Sequence, residues 1–459
     1  MVNSRISVKK FLLLLGDYLV FEAALLLTLL IRYGGIHDAD WNAHAAPFAI
    51  LGILWVTSFY VAGLYDLAIT RDQFVFFRTF LEGMLANLAI AFAFFYLIPM
   101  FGIAPRTNLI LHFVIALLLG YAWRLTFNRL IAPSLFQNRV LFVGSATDAV
   151  RIRDLLAKSA LGLELCAVVE TAPGTRIDDG SVTWYAGVDG IDRIIAEKGI
   201  NTIVIGHRPD DIPGLRDALY KTLFTQVSLI DRAALEEAVT GRVPLEYVSQ
   251  AWFLEHLREG EKAWYEAAKR LIDILLGIPF WIITLIVYPF TAAIIKLSSP
   301  GPVLYSQMRI GKYGKPFRIW KFRTMRADAE KHGPQFTADA KTDPRLFPAG
   351  RILRHLRIDE LPQIWNVFRG DLSLIGPRPE RPEFVDQLTE RMPYYALRHL
   401  TRPGLTGWAQ VRFLTPTATV EDNLTKLQYD LYYIKHRSVL LDATILLRTI
   451  GIVLKRQGT

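Results

Sequence analysis

The stretch ILLGIPFWIITLIVYPFTAAII, residues 274–295, decides the architecture. It is 22 consecutive uncharged residues, about 33 Å as a helix at ~1.5 Å per residue, enough to cross a bilayer core of roughly 30 Å. The charge downstream of it argues against crossing. From Lys296 to Arg412 there are 21 Lys and Arg against 11 Asp and Glu, a net of +10 that exceeds the +9 of the whole chain. Placing that charge on the far side opposes the positive-inside tendency. The run also holds Pro279 and Pro289 and closes on Ser299-Pro300-Gly301-Pro302. Pro289 removes a backbone donor and crowds the preceding turn, so the expectation is a re-entrant hairpin near 271–298, bent at Pro289 and returning to the face it entered.

Four further stretches in the first third, Phe11–Ile31, Ala46–Tyr65, Gly83–Gly102 and Thr107–Trp123, are long and apolar enough to span. The first is no cleaved leader: it is long, contains Asp17 and Glu22, and lacks a small-residue cleavage site. Arg5, Lys9 and Lys10 precede it, Arg71 and Arg78 lie between the second and third spans, and Arg124, Arg129 and Arg139 follow the fourth. The loop Ile36–His44 carries Asp38 and Asp40 and no Lys or Arg. Both ends of a four-helix transmembrane bundle, residues 1–132, are therefore expected on the cytosolic side. Asp17, Glu22 and Glu82 are expected to pair inside it or to lie near the interface.

From 139 to 250 the pattern alternates between strand and helix: strands at Arg139–Val143, Leu163–Val169, Thr202–Ile205 and Gln226–Ile230, helices at Ala149–Lys158 and Leu215–Leu223. This is a Rossmann-like α/β module. Its first turn, Gly144-Ser145-Ala146-Thr147-Asp148, lacks the second and third glycines of a dinucleotide fingerprint, which favours a regulatory or assembly role. Ser249–Glu261 reads as a linker into an amphipathic stretch with Trp252, Phe253, Trp264 and Tyr265, either lying along a membrane surface or packed on the next domain. The chain has 459 residues, 52% of them hydrophobic, which suits about three domains and excludes a disordered chain. One cysteine, Cys166, excludes an intramolecular disulfide framework and multi-cysteine metal sites.

The last domain, residues 261–459, carries the chemistry. Arg309, Lys312, Lys315, Arg318, Lys321, Arg323 and Arg326 alternate with aromatic residues. Beside a membrane insertion this fits anionic headgroups and phosphorylated ligands better than nucleic acid. Three arginines, Arg351, Arg354 and Arg357, lead into the adjacent carboxylates Asp359 and Glu360. Adjacent positions face different ways, so the two need not share a role, and the cations are expected to keep both ionised, as a nucleophile or a magnesium ligand requires. Prolines on both sides of Arg378 fix its backbone.

These pieces resemble, nearly end to end from Ala267 to Gly458, the catalytic domain of the bacterial sugar transferases, monotopic phosphoglycosyl transferases that act on polyprenyl phosphate. The matching segments are 269–273 (KRLID), 299–303 (SPGPV), 321–325 (KFRTM), 359–363 (DELPQ), 370–379 (GDLSLIGPRP), 402–410 (RPGLTGWAQ) and 430–433 (DLYY). The resemblance implies a membrane protein of α plus α/β class, in the long form of the family, at the bacterial inner membrane, with a mainly α catalytic domain on the cytoplasmic face. It implies transfer of a hexose 1-phosphate from a UDP-sugar to polyprenyl phosphate, priming exopolysaccharide, capsule or O-antigen synthesis, with downstream glycosyltransferases as partners and room for a homo-oligomer. It further implies Asp359 as nucleophile and Mg2+ ligand, Glu360 assisting, Lys321, Arg323 and Arg354 as phosphate contacts, Arg378 as a nucleotide contact and Asp430 as support, with Pro289, Ser299 and Pro300 shaping the membrane hairpin. Two segments depart from the family pattern: Tyr288-Pro289 stands for the usual Ser-Pro bend, and Val411-Arg412-Phe413-Leu414 for an Asn-Gly-Arg-like segment that can touch the sugar. A sugar-nucleotide dehydratase or reductase, favoured by the Tyr265-x-x-x-Lys269 spacing, and a non-enzymatic assembly scaffold are the rival readings.

Overall fold

The computed structural model describes residues 2–65, 73–97, 106–131, 138–158, 163–172, 180–206, 212–222, 227–257, 262–326, 329, 343–392, 394–414 and 419–454. It divides into two compact units, residues 1–240 and 241–459. Arg71, the expected end of the third span at Gly102 and the end of the linker at Glu261 lie outside the described residues.

The first unit opens with α1 (Val2–Tyr33), α2 (Asp38–Ala62), α3 (Gln73–Leu97) and α4 (Arg106–Thr126). Each is long and apolar enough to cross a membrane. The third helix starts ten residues before the stretch expected from hydropathy. Arg78 and Glu82, which push a hydropathy window downstream, sit inside the helix and pair one turn apart at 2.8 Å on its exposed side. Residues from all four helices join one core around Phe21, Trp55, Phe59 and Phe80. Asp17 is fully buried there, and Arg124 reaches it from α4 with two guanidinium nitrogens. Tyr65 donates to the same carboxylate at 2.6 Å, and the third nitrogen of Arg124 donates to the Leu64 carbonyl at 2.7 Å. The acidic residue expected to pair within the helices does so.

A five-stranded parallel sheet comes next, in the order β3-β2-β1-β4-β5. Its strands are β1 (Asn138–Ser145), β2 (Leu163–Ala172), β3 (Thr183–Ala186), β4 (Thr202–Ile205) and β5 (Ser228–Asp231). Strand β1 is apolar from Val140 to Val143 because both faces are covered there: Val140 and Phe142 point to one buried cluster, Leu141 and Val143 to the other. The short edge strand β3 and the helices Ile191–Lys198 and Arg232–Thr240 are additions to the elements expected from sequence pattern. A doubly wound sheet binds ligands where its order reverses, here between the ends of β1 and β4. At that point the helix after β1 presents Asp148, whose amide is held by the Ser145 hydroxyl and whose carboxylate pairs with Arg232.

The second unit begins with the short helix Gln250–His256, capped by the Ser249 hydroxyl. Its Phe253 packs into the core against Tyr394 at 4.5 Å, so the first half of the expected linker is a docked helix. Next comes one 36-residue helix, Ala263–Ser298, with Pro279 and Pro289 inside it. The chain does not reverse in a turn at Pro289, since helical φ suits proline and the lost donor bends a helix without ending it. Nor does this helix leave its unit. Along its length Gly277 lies against Phe368 and Ile364, the rings of Trp281 and Trp365 stack at 5.7 Å, Tyr288 meets Phe322 at 5.6 Å, and Ile295 is buried beside Phe322 and Phe347. Its other face is apolar and exposed, through Leu271, Ile278, Leu285, Ile286 and Phe290.

The rest of the unit is short helices and the two longer ones Val420–His436 and Val439–Leu454 around two strand pairs: β6 (Leu304–Ile310) antiparallel to β7 (Pro316–Phe322), and β8 (Ser373–Ile375) parallel to β9 (Gly404–Thr406). The core gathers Val367, Leu372, Leu431, Tyr433 and Ile434.

Removing one partner of a buried ion pair leaves a charge without compensation, at about 3–5 kcal/mol. Arg124→Met should therefore destabilise the helical part of the first unit by that amount, and the double change Asp17→Leu with Arg124→Met should recover most of it. Thermal unfolding of the purified protein in detergent checks both.

Candidate active site

Two sequence motifs meet because their glycines let backbone lie on backbone. A Cβ on Gly404 would sit 2.1 Å from the Gly376 nitrogen, and one on Gly407 would sit 2.3 Å from the Gly376 carbonyl oxygen. This joins β8 to β9 and projects the turn Gly376-Pro377-Arg378-Pro379-Glu380 from the sheet end. Opposite it, Arg357 adopts φ 55°, a left-handed conformation costly for a side chain with a Cβ, and starts the 3-10 turn Ile358–Gln363 that carries Asp359 and Glu360. Strand β7 supplies Lys321.

Glu360 collects the cations. Lys321 Nζ lies 3.4 Å from its Oε1, Arg378 Nη2 3.2 Å from the same oxygen, and Arg357 Nη1 3.9 Å from Oε2. Burial would raise its pKa, but Lys321, Arg378 and Arg357 outweigh that and hold it down at about 2. Asp359 is the opposite case. It is buried, and among the described residues none bonds or ion-pairs with its carboxylate; Lys321, Arg354 and Arg378 act on it only through space. Desolvation, aided by the Glu360 charge, pushes it up to about 6. The expectation that the cations hold both carboxylates low therefore holds for Glu360 and not for Asp359, which remains mostly ionised at neutral pH but only by about a unit.

Asp359 stands where two cavities meet. One, about 790 Å³, is lined by polar and cationic groups including Arg309, Arg381, Arg398 and Lys426. The other, about 710 Å³, has an apolar wall of Ile352, Leu356, Ile452 and Val453. Lys321, Arg354, Asp359, Arg378, Gln410 and Phe413 line both. The structure thus brings Lys321, Arg354, Asp359, Glu360 and Arg378 together. Arg354 also lies 3.9 Å from buried Asp343.

Arg323 is placed differently. Its guanidinium donates to the carbonyls of Pro302 (2.7 Å), Pro300 (2.8 Å) and Ser299 (2.8 Å) and to the Ser299 hydroxyl (3.1 Å). It lines the first cavity, yet its donors are engaged in clasping the Ser-Pro-Gly-Pro exit of the long helix, which is what ties Ser299 and Pro300 to the site. Pro289 lies within the long helix, one residue after Tyr288, whose ring packs on Phe322. Asp430 is buried against Arg398 at 2.9 Å, and burial raises it to about 6. Arg398 itself, which also donates to the Arg378 carbonyl at 2.9 Å, carried no signal in the sequence beyond its nearness to Arg402. Tyr265 and Lys269 both donate to Asp442 at 2.8 Å, so their reductase-like spacing serves an internal anchor.

Among the described residues no group of three or more His, Cys, Asp or Glu gathers as a metal cage. Magnesium is commonly held by one or two carboxylates together with substrate phosphates and waters. The Asp359 carboxylate, which has no bonding partner among the described residues and lines both cavities, fits that donor set.

The family described as "Bacterial sugar transferase" matches residues 264–456. A UDP-N-acetylgalactosamine-undecaprenyl-phosphate N-acetylgalactosaminephosphotransferase of Aeromonas hydrophila is 38% identical over 259 residues, covering 56% of this chain and 60% of that protein. A UDP-glucose:undecaprenyl-phosphate glucose-1-phosphate transferase of Caulobacter vibrioides is 43% identical over 183 residues, covering 40% and 68%. One of the same name from Escherichia coli is 39% identical over 186 residues, covering 40% and 39%. The chain thus spans between about two fifths and two thirds of these relatives' lengths.

A clasp and a phosphate ligand differ in what they stabilise. Arg323→Met removes four hydrogen bonds from a cation and should lower stability by about 2–4 kcal/mol, given ~1.5–3 for each charged hydrogen bond and partial replacement by water. Thermal unfolding without any ligand should show the loss; an unchanged midpoint would return Arg323 to the role of phosphate contact.

Proposed function

The chain belongs to the bacterial sugar transferase family, and on that premise we propose that it transfers a hexose 1-phosphate from a UDP-sugar to polyprenyl phosphate, releasing UMP, at the cytoplasmic face of a bacterial inner membrane. The observation that carries this reading is the bare carboxylate of Asp359 at the junction of a polar, cationic cavity and an apolar-walled one.

In the first half-reaction an Asp359 carboxylate oxygen attacks the sugar-proximal phosphorus. The new O–P bond forms as the bond to the bridging oxygen breaks, and UMP leaves with that electron pair. In the second, a phosphate oxygen of the lipid attacks the same phosphorus and the Asp359 carboxylate departs. Two polyanions would repel one another if bound together, and a covalent relay lets both use one set of cations in turn. Lys321, Arg354 and Arg378, shared by the two cavities, are placed to meet either phosphate. Glu360 holds Lys321 and Arg378 in position. Magnesium, held through Asp359, would neutralise charge on the diphosphate.

The apolar-walled cavity suits the lipid, whose head must reach water while its tail stays in the bilayer. That the helix Ala263–Ser298 enters the membrane without crossing it is part of the proposal; its support is the inner face packed on its own unit from Gly277 to Ile295 and the apolar outward face, the helix itself running unbroken through Pro289. The cations flanking α1–α4 support the cytoplasmic orientation. Gln410, just before the Val411–Leu414 segment, and Phe413, within it, line both cavities and are the proposed wall against the sugar. Glucose or galactose is the proposed sugar, with N-acetylated hexoses next; downstream glycosyltransferases would consume the product.

Asp359→Asn should abolish UMP release, and wild-type protein given radiolabelled sugar nucleotide without lipid should retain label covalently; full activity in the variant would overturn the nucleophile. Because only ionised Asp359 attacks and burial raises its pKa to about 6, the rate should fall as pH drops through about 6. Lys321→Met removes a cation that lowers that pKa, so in any residual activity the acid limb should move to higher pH. A panel of UDP-sugars, read by UMP release, identifies the sugar.

A further inference from the structure

The turn that presents Arg378 is unusual in how it is held. Pro377 and Pro379 have no N–H to give, so the segment cannot be anchored by donating along its length. After Gly376, whose amide donates to the Thr406 carbonyl, it is held through four successive carbonyls, Pro377 to Glu380. Pro377 O accepts from Gly404 N at 2.9 Å, Arg378 O from Arg398 Nη2 at 2.9 Å, Pro379 O from Arg309 Nη1 at 3.1 Å, and Glu380 O from Ile310 N at 3.0 Å. The two outer donors are backbone amides of neighbouring strands. The two inner ones are arginines, both largely buried.

Arg398 is itself fixed on three sides. Its Nη2 pairs with Asp430 at 2.9 Å, its Nη1 donates to the Tyr395 hydroxyl, and Nη2 also reaches the Arg378 carbonyl. Arg309 has a parallel arrangement: Nη2 donates to Gln307 at 2.7 Å, and Nη1 lies 3.6 Å from Glu380. A planar guanidinium held by a carboxylate is a rigid fork, and a charged donor to a carbonyl is stronger than a neutral one.

We propose that Arg398, seconded by Arg309, is the positioning residue of this site: it clamps the backbone of the proline-flanked turn so that the Arg378 guanidinium stands at Glu360 and beside Asp359. Neither arginine is asked to touch a reacting atom. The influence of Asp430 runs the same way, through Arg398 to the Arg378 carbonyl and from Arg378 to Glu360 at 3.2 Å. This rests on the proposed function only in so far as Arg378 serves phosphate transfer there.

The test is a double-mutant cycle in the full-length protein, with a second readout that needs no activity. Arg398→Lys keeps the charge and loses the fork. It should lower kcat/KM for the UDP-sugar by about tenfold, yet by less than about twofold in an Arg378→Ala background, since a residue acting through another loses its effect when that one is gone. Hydrogen exchange should quicken at Gly404 and Ile310, whose amides bond the turn. Equal losses with and without Arg378, or wild-type exchange and rate in Arg398→Lys, would overturn the proposal. Should Arg398→Lys fail to fold, Arg309→Lys goes through the same cycle, and the same outcomes support or overturn the clamp. If wild-type protein releases no UMP from any sugar nucleotide, the proposed function fails while exchange still decides the clamp: unchanged exchange refutes it.

Discussion

A helix whose outward face is apolar nearly from end to end can be fixed to a charged domain only along a narrow inner seam, and the second unit is organised around that seam. At its start, Tyr265 and Lys269 share Asp442. Arg270 caps the helix Ile364–Arg369 through the Val367 and Phe368 carbonyls, and Asp273 accepts from the Ser373 hydroxyl and the Leu374 amide at the head of β8. At its end, Arg323 clasps Ser299, Pro300 and Pro302. Buried polar contacts of this kind fix register more than they add stability, because each is desolvated as it forms. Between the two anchors the Asp359 turn lies on the helix itself, with the Leu361 carbonyl 3.5 Å from the Thr284 hydroxyl. The position of the helix therefore sets the position of the Asp359 turn.

The carboxylate pair shows how one cationic field yields two opposite groups. Glu360 makes direct contacts, so Coulomb attraction outweighs desolvation and it is held ionised. Asp359, its neighbour on the same 3-10 turn, points into the same field without touching it, so desolvation wins. Had Asp359 been paired as Glu360 is, its lone pairs would be committed and its basicity low. The division leaves Asp359 the more basic of the two and lining both cavities, with the neighbouring carboxylate spent on holding the cations.

Much of this was legible in sequence because it rests on local pattern. The apolar runs and the strand of four apolar residues at Val140–Val143 read directly, and the Asp359–Glu360 pair stood out behind its arginines. What failed to read was decided by long-range partners. Arg78 and Glu82 displaced the third span because hydropathy counts two charges where the helix holds one pair. Arg323 belongs to a cationic cluster by sequence, and nothing local tells that its donors face carbonyls 21 to 24 residues earlier. Arg398 is similarly silent, its partners Arg378 and Asp430 lying on either side of it in the chain. The resemblance to a family named the region, but could not distinguish arginines that face the cavity from those that build it.

That distinction matters for how such a site tolerates change. An arginine facing solvent in the cavity meets a ligand that brings its own negative charge, so its desolvation is compensated only when substrate is bound. An arginine spent on a carbonyl or a buried carboxylate is compensated at all times and contributes to shape whether or not substrate is present. In this unit Arg323, Arg309 and Arg398 line the first cavity but spend donors on the protein's own carbonyls, while Lys321, Arg354 and Arg378 line both cavities and, among the described residues, their charged ends contact only carboxylates, Glu360 or Asp343. A basic composition that looks like one diffuse positive field therefore combines arginines that fix the shape of the site with cations that line both cavities beside Asp359.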